Sequence, residues 1–475
     1  MWSEICLCLV AFIVIRISHC FCKWSNPKCE GKLPPGSMGL PIIGETLQFL
    51  FPYKTHDVAP FLKRRIARYG PLFRTSLFGQ KIIVSTDPEI NYTILQREST
   101  NFSFWLTDSF NVFLGEGNML TQHGTFHRYM KNLILHLVGP ESLKGKLLRP
   151  MDEATSRHLR SWATLGSVNV KDAIEEMIFE SFAKRLISYE ERKDGKKLLD
   201  NYKAFMNGLI SLPVNIPGTA FHACVQGSKN AIKVITDIYH ERKASKIPHN
   251  DFLDRLIEEE EKENAFMDDG VAINMLFLLL FGAFESTSEA ITLLTKFIFD
   301  HPAVLEELTK EHEAILKSRK NQESGLTWQE YKSMNFTHMV INETVRLANI
   351  APLIFRKVGK DAEMKGYTIP KGWIVLVAPA VVHLNPEKYE NPLEFNPWRW
   401  KEQDLHSGSK TFMAWGSGTR LCVGADFAKL QIAIFIHHFV TKYRWSVTKG
   451  GDFIRRPSLI FPNGIHIRIA EKQKC

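Results

Sequence analysis

FMAWGSGTRLCVGADFAKLQIAIFI, from Phe412 to Ile436, sets one cysteine among three glycines and an arginine, immediately ahead of what reads as an amphipathic helical run. Gly416, Gly418 and Gly424 allow the backbone around Cys422 to turn tightly and to aim several N–H groups at the sulfur. Those donors favour a thiolate, and so does the positive end of a helix that starts near Ala425. A nucleotide cradle fits less well. Leu421 stands where a dinucleotide fingerprint needs its third glycine, and no Lys-Ser/Thr pair follows to make a P-loop. A nucleophilic cysteine would need a base that the neighbouring sequence does not supply, and a purely structural one would not need the glycines. A shielded anionic sulfur is a good soft ligand for one metal position. Haem iron is held in this way when electron donation must weaken a bound O–O bond.

The rest of the chain limits what such a centre belongs to. With 475 residues and 44% hydrophobic composition it can bury a large core, and no Gly/Ser-rich linker, charge block or repeat divides it. Five of eight cysteines lie in the first 29 residues, leaving Cys224, Cys422 and Cys475 for the body. That distribution argues for reduced surroundings and not for a disulfide framework. The formal charge of +9 forms no Lys/Arg stripe, which excludes nucleic-acid binding and suits anionic lipid or an acidic protein partner.

At the N-terminus, Ile5 to Ile15 is uninterrupted apolar sequence, and the stretch Trp2 to Cys22 has the roughly 20 residues that a membrane-spanning helix needs. Lys23, Lys28 and Lys32 follow it, so residues 1–23 are expected to be a single-pass anchor with the body on the cytosolic side. Residues 24–45, rich in Pro and Gly, read as a stiff hinge, and residues 46–475 as the catalytic domain. Pro71 to Thr86 alternates as a hairpin would, and the chain from there to about Leu316 is mainly helical. The acidic run Glu258 to Glu263 reads as a solvated helix face. Thr327, with Glu330 three residues on, is a capping box. Gly366 to Val382 is strand-like, a Pro/Asn-rich meander follows, and the last helix, about Ala425 to Tyr443, leads into a short β-rich tail. The fold class is mainly α with a minor β region.

Two further motifs carry meaning by their order. LFGAFESTSEAITLL is an apolar helix interrupted by Glu285, Ser286 and Thr287, which are costly to bury unless satisfied; a polar notch bonding its own backbone is the plainer alternative. ETVR places Glu343 and Arg346 on one helix face, and NPLEFNPWRW brings Arg399 about 50 residues later.

Taken together, these motifs resemble the cytochrome P-450 haem-thiolate monooxygenases, over nearly everything from Leu33 to about Ile469. The family pattern falls on Trp415, Gly418, Arg420, Cys422 and Gly424, with Trp415 in place of the usual Phe. The resemblance implies a cytochrome P-450 fold and haem b with Cys422 as axial ligand. It implies dioxygen as co-substrate and electrons from NADPH through a separate NADPH-cytochrome reductase, with cytochrome b5 as a second donor. It assigns Glu343, Arg346 and Arg399 to structural support of the meander. Glu285, Ser286 and Thr287 become a proton-relaying element on a helix kinked over the haem, with Ser286 where Thr is usual. Cations for the haem propionates fall on Arg420, Arg356, His127 and Lys131, where Trp and Arg are more usual than His127 and Lys131. Expected pocket walls are Trp105, Phe110, Phe284, Ile350, Ile354, Leu459 and Phe461. The details look most like the plant clan oxidising sterols, brassinosteroids and triterpenoids. The expectation is therefore a monooxygenase of the endoplasmic reticulum membrane that hydroxylates a sterol or triterpenoid, with multi-step oxidation up to side-chain cleavage within its reach. Alternatives are oxidation of another plant terpenoid or hormone such as abscisic acid, and a non-oxygenating haem isomerase or sterol-binding protein.

Overall fold

Leu430 to Ile436 is apolar on every side but one, so a helix made from it has no polar face to give to water. In the computed structural model this helix, Ala425–Lys442, is buried without interruption from Leu430 to Val440. It runs through the middle of the protein and is not amphipathic. The structure describes residues 2–473 apart from 99–100, 108–109, 111, 114–117, 191–196, 210, 212, 264–265, 322–323, 402–408 and 457.

In chain order the longer helices are α1 (Trp2–Ser25), α2 (Gly124–Val138), α3 (Leu148–Leu165), α4 (Val170–Ile187), α5 (Leu198–Leu209), α6 (Ala220–Ser245), α7 (Asp269–Asp300), α8 (Pro302–Ser318), α9 (Asn335–Ala348) and α10 (Ala425–Lys442). The strands are β1 (Leu72–Leu77), β2 (Gln80–Ser85), β3 (Phe102–Phe104), β4 (Ser167–Asn169), β5 (Ile354–Val358), β6 (Ala362–Met364), β7 (Tyr367–Ile369), β8 (Ile374–Val377), β9 (Tyr443–Gly450), β10 (Ile454–Arg456), β11 (Ser458–Ile460) and β12 (Ile465–Glu471). The main sheet has the order β1-β2-β8-β5-β3, with β2 and β8 parallel and the other pairs antiparallel. Its central strands read as continuous apolar runs because both faces are covered. Ile82, Val84, Ile374 and Leu376 face one core, while Ile83, Val375 and Val377 face another. The largest core joins the helices, with α7 packed on α4, α9 and α10.

The hairpin at Pro71 to Thr86 and the Thr327 capping box form as the sequence predicts. Gly366 to Val382 is strand only as far as Val377. Pro379 then starts a short helix, Pro379–His383, as proline at a first helical position can. The acidic run is not simply solvated. Glu259 is buried and accepts from Tyr129 Oη at 3.1 Å, and Glu260 accepts from Tyr239 and from Lys243. The segment after α1 is docked along the body. Pro34 O accepts from Arg74 at 2.7 Å, Lys32 O from Thr368 N at 2.8 Å, and Trp24 Nε1 donates to Met38 O and Gly39 O. Gly36 is required there: at its φ of 154° a Cβ would fall 2.0 Å from Arg74 O.

Between α3, α8, α9 and α10 lies a buried polar network. Thr337 Oγ1 donates to Glu311 Oε2, so it accepts from His312 Nε2 at 3.0 Å, and His312 Nδ1 is left to accept from His437 Nδ1 at 3.1 Å. Burial keeps both rings neutral: it pushes His312 down to about 3 and holds His437 well below the ordinary imidazole range. An unfolded chain protonates both near pH 6.5 while the folded one does not, so stability falls as pH drops from 6.5 towards 3. The slope is about 1.4 kcal/mol per pH unit for each ring. We expect the midpoint of thermal unfolding, followed by circular dichroism, to be clearly lower at pH 5 than at pH 7.5. Equal midpoints would contradict neutral burial of these rings.

Candidate active site

The loop before α10 places Cys422 at the end of two left-handed glycines, Gly416 (φ 78°) and Gly418 (φ 70°). At Gly418 a Cβ would sit 2.3 Å from Leu95 O, so the loop closes on the helix Pro88–Gln96 only with glycine there. Cys422 N donates to Trp415 O at 2.9 Å, and the N–H of Gly424 is directed at the sulfur. The sequence argument for a self-supporting thiolate does not hold. Burial outweighs the Gly424 donor and the nearby Lys131 and Lys429, and it pushes the Cys422 thiol up. Coordination to a metal ion is what deprotonates such a thiol. Even so, the side chain has exposed surface while protein atoms desolvate it, so it opens onto an enclosed space.

The middle of α7 carries the second motif; the helix is continuous from Asp269 to Asp300, and no break in it accompanies the expected kink. Gly282 is exposed within this otherwise buried helix, and no atom lies within 4 Å of where its Cβ would be. Ser286 Oγ donates to Gly282 O at 3.0 Å, the backbone bond that the plainer reading of this motif describes. Glu285 behaves otherwise: its carboxylate is 3.4 Å from Lys171 Nζ of α4, and burial, the largest influence, raises its pKa despite that lysine. Thr287 is buried.

The expected propionate cations gather, but around a carboxylate that the sequence did not flag. Glu98, 5% exposed, lies 2.7 Å from Arg420 Nε and 3.0 Å from Arg356 Nε. Lys131 Nζ donates to Thr419 O at 3.0 Å. His127, Lys131 and Arg420 line one cleft with Glu98, His123, Gly124, Arg128 and Thr419. His127 is not a cation at neutral pH: burial and the Arg420 charge push it down to about 4.

Of the expected pocket walls, Trp105, Phe110, Ile350 and Ile354 are half-buried. Phe284 is not a wall. It is fully buried and packs edge-on against Phe179 at 5.5 Å and Tyr202 at 5.9 Å. Leu459 and Phe461 also belong to the helical core, and between them Ile460 is 41% exposed.

Haem fits this set of residues. Cys422 offers a soft sulfur with exposed surface, the indole N–H of Trp415 is buried with no hydrogen-bond partner among the described residues, and no atom lies within 4 Å of the Cβ positions at Gly282 and Gly424. Two guanidiniums, of the buried Arg356 and the half-buried Arg420, stand beside the cleft.

Beneath the loop, Glu343 is fully buried and accepts from Arg346 Nη2 (2.7 Å) and Nε (2.8 Å), Arg399 Nε (3.0 Å), Trp400 Nε1 (2.9 Å) and Asn396 N (3.0 Å). Arg346 also donates to His383 O and Pro392 O, both at 2.7 Å. His383, missed in the sequence, completes the link: its Nδ1 meets Asn349 Oδ1 at 2.8 Å and its Nε2 accepts from Met413 N at 3.0 Å. Removing one partner of a buried charge pair costs about 3–5 kcal/mol. Arg346→Ala is therefore expected to leave little protein able to give the carbon monoxide difference spectrum of a thiolate-ligated haem, and a wild-type yield of that spectrum would refute the linkage.

The sequence model of the Cytochrome P-450 family matches residues 34–464. The chain is 49% identical to cytochrome P-450 87A3 of Oryza sativa subsp. japonica, over 95% of this chain and 88% of that one. It is 41% identical to a beta-amyrin 16-alpha-hydroxylase of Maesa lanceolata, over 98% of each, and 38% identical to a cucurbitadienol 11-hydroxylase of Siraitia grosvenorii, over the whole of both. Its fold is similar to that of the solved retinoic acid-bound cyanobacterial CYP120A1, with a TM-score of 0.83 at 24% identity, covering 93% of this chain and all of that one. The chain belongs to the cytochrome P-450 family of haem-thiolate monooxygenases.

Proposed function

We propose that this enzyme hydroxylates a triterpenoid or sterol. The observation that carries the reading is a desolvated Cys422 that keeps exposed surface, in a chain whose relatives are named for hydroxylating cucurbitadienol, beta-amyrin and cholesterol. The half-buried Trp105, Phe110, Ile350 and Ile354 supply apolar, aromatic surface that suits a rigid polycycle and excludes water.

Bound haem supplies dioxygen activation, in which one oxygen atom enters a C–H bond and the other leaves as water with two electrons and two protons. In this reading Cys422 Sγ holds the iron, and Arg356, Arg420 and Lys131 hold the propionate edge. The neutral ring of His127 contributes a hydrogen bond there. Gly282 leaves open space on α7 that bound haem and substrate would need. Glu285 holds and releases protons at its carboxylate, and Ser286 Oγ passes them on after turning from Gly282 O. Electrons come from NADPH through a separate reductase, drawn to a basic chain of net charge +9. Ile5–Ser25 is long and apolar enough to cross a bilayer and its described side chains are exposed as far as Lys23, so α1 anchors the enzyme, in this reading in the endoplasmic reticulum with the body in the cytosol.

The test is reconstitution of the full chain with reductase and NADPH against beta-amyrin, cucurbitadienol and cholesterol, with products read by mass spectrometry. A singly hydroxylated product that disappears in Cys422→Ser is expected. Rapid NADPH use with no oxygenated product from any of the three would overturn the substrate class.

A further inference from the structure

Glu285 is one of three carboxylates grouped about a single lysine. Lys171 Nζ lies 3.4 Å from Glu285 Oε1 and 3.3 Å from Glu175 Oε1. The other oxygen of Glu175 is 3.1 Å from Lys203 Nζ on α5, and Lys203 is 3.8 Å from Asp172, which is 64% exposed. Alternating charges thus run from α7 across α4 and α5 to the surface. The third carboxylate, Glu289, follows Glu285 by one helical turn on α7. It is 6% exposed and has no ion pair or hydrogen bond among the described residues.

The charge count explains the grouping. Glu175 and Glu285 have Lys171 and Lys203 in contact, while Glu289 has only the field of Lys171 and of Arg455 and no ion pair among the described residues, so full ionisation would leave its negative charge without a contacting partner in a largely buried space. Such a charge is costly, and the group takes up a proton instead. Glu289 is the carboxyl that keeps it, because Glu285 and Glu175 already touch ammonium groups. Burial and the neighbouring Glu285 push Glu289 up to about 8. The other cation facing it, Arg455 of β10, is committed to Ala348 O and Leu347 O at 2.8 Å each. Lys171 is itself held charged: its pKa is raised by the surrounding carboxylates Glu285, Glu175 and Glu289 against its desolvation. It is a fixed cation and not a carrier.

We propose that Lys171, Glu175 and Glu289 form a proton-holding cluster behind Glu285, in which Lys171 orients the Glu285 carboxylate and Glu289 stores the proton that replaces each one Glu285 releases. In that replacement an O–H bond breaks at Glu289 and forms at Glu285, no electron moves, and Glu289 is refilled from the solvent side marked by Asp172. Lys171, Glu175 and Glu289 are positioning and proton-storing residues. The inference rests on Glu285 as the acid proposed above.

Infrared titration of the ferric full-length holoenzyme tests the resident proton directly. A protonated carboxyl stretch is expected at pH 7, lost on raising the pH past about 8 and absent in Glu289→Gln. A wild-type protein with no protonated carboxyl at pH 7 overturns the inference without any variant. With reductase, NADPH and beta-amyrin as probe, oxygen reduction in Lys171→Met and Glu289→Gln is expected to be about tenfold slower. Both variants should show a larger solvent deuterium isotope effect, and Lys171→Arg should restore both rate and isotope effect. If Glu285→Gln leaves rate and isotope effect unchanged, the reading of Glu285 fails. If Glu285→Gln alters them while Lys171→Met and Glu289→Gln do not, the cluster alone fails.

Discussion

The carboxylate of Glu343 is the fixed point of this protein. With no water around it, it accepts from five donors on α9 and on the meander that follows β8, and those donors have no comparable partner elsewhere. The meander contains no long helix or strand, so its path is set by hydrogen bonds to side chains. Arg346 passes the constraint to His383 O, and His383 passes it through its ring to Met413, nine residues before the sulfur. A fully neutral imidazole is needed for that step, since Nε2 must accept while Nδ1 donates to Asn349. Burial ensures it by holding His383 down at about 3.

The features legible in the sequence are those whose cause is local. The glycine spacing around Cys422, the Thr327 capping box and the first hairpin each follow from residues a few positions apart. Glu343 and Arg346 share one helical turn, but it was the resemblance that joined Arg399 to them and gave the group its role. What escaped had distant partners or too little pattern. Glu98 lies 322 positions from Arg420 and looks like an ordinary surface glutamate at a helix end. Lys171 and Glu285 are 114 positions apart. Strands β3 and β4 have three residues each, too few for an alternation to show. The amphipathic reading of α10 failed because its Gln431, His437 and His438 are buried along with its apolar residues. The lowered thiol pKa failed because a sequence shows donors but not the desolvation that outweighs them.

The haem end shows a related balance. Arg356 and Arg420 would repel each other across the cleft if left alone, and Glu98 between them removes that repulsion before any propionate arrives. It also lowers the positive potential that pushes His127 towards its neutral form.

The indole of Trp24 has a mechanical consequence. It closes the last turn of α1 onto Met38 O and Gly39 O, and the chain beyond is strapped to β1 through Arg74 and Gly36. The apolar helix is therefore an outrigger rather than a leash. Leu40, Ile42, Ile43, Leu47 and Phe51 emerge just past that joint with their side chains in the open. A braced spar and a greasy heel are thereby held in one fixed relation to each other.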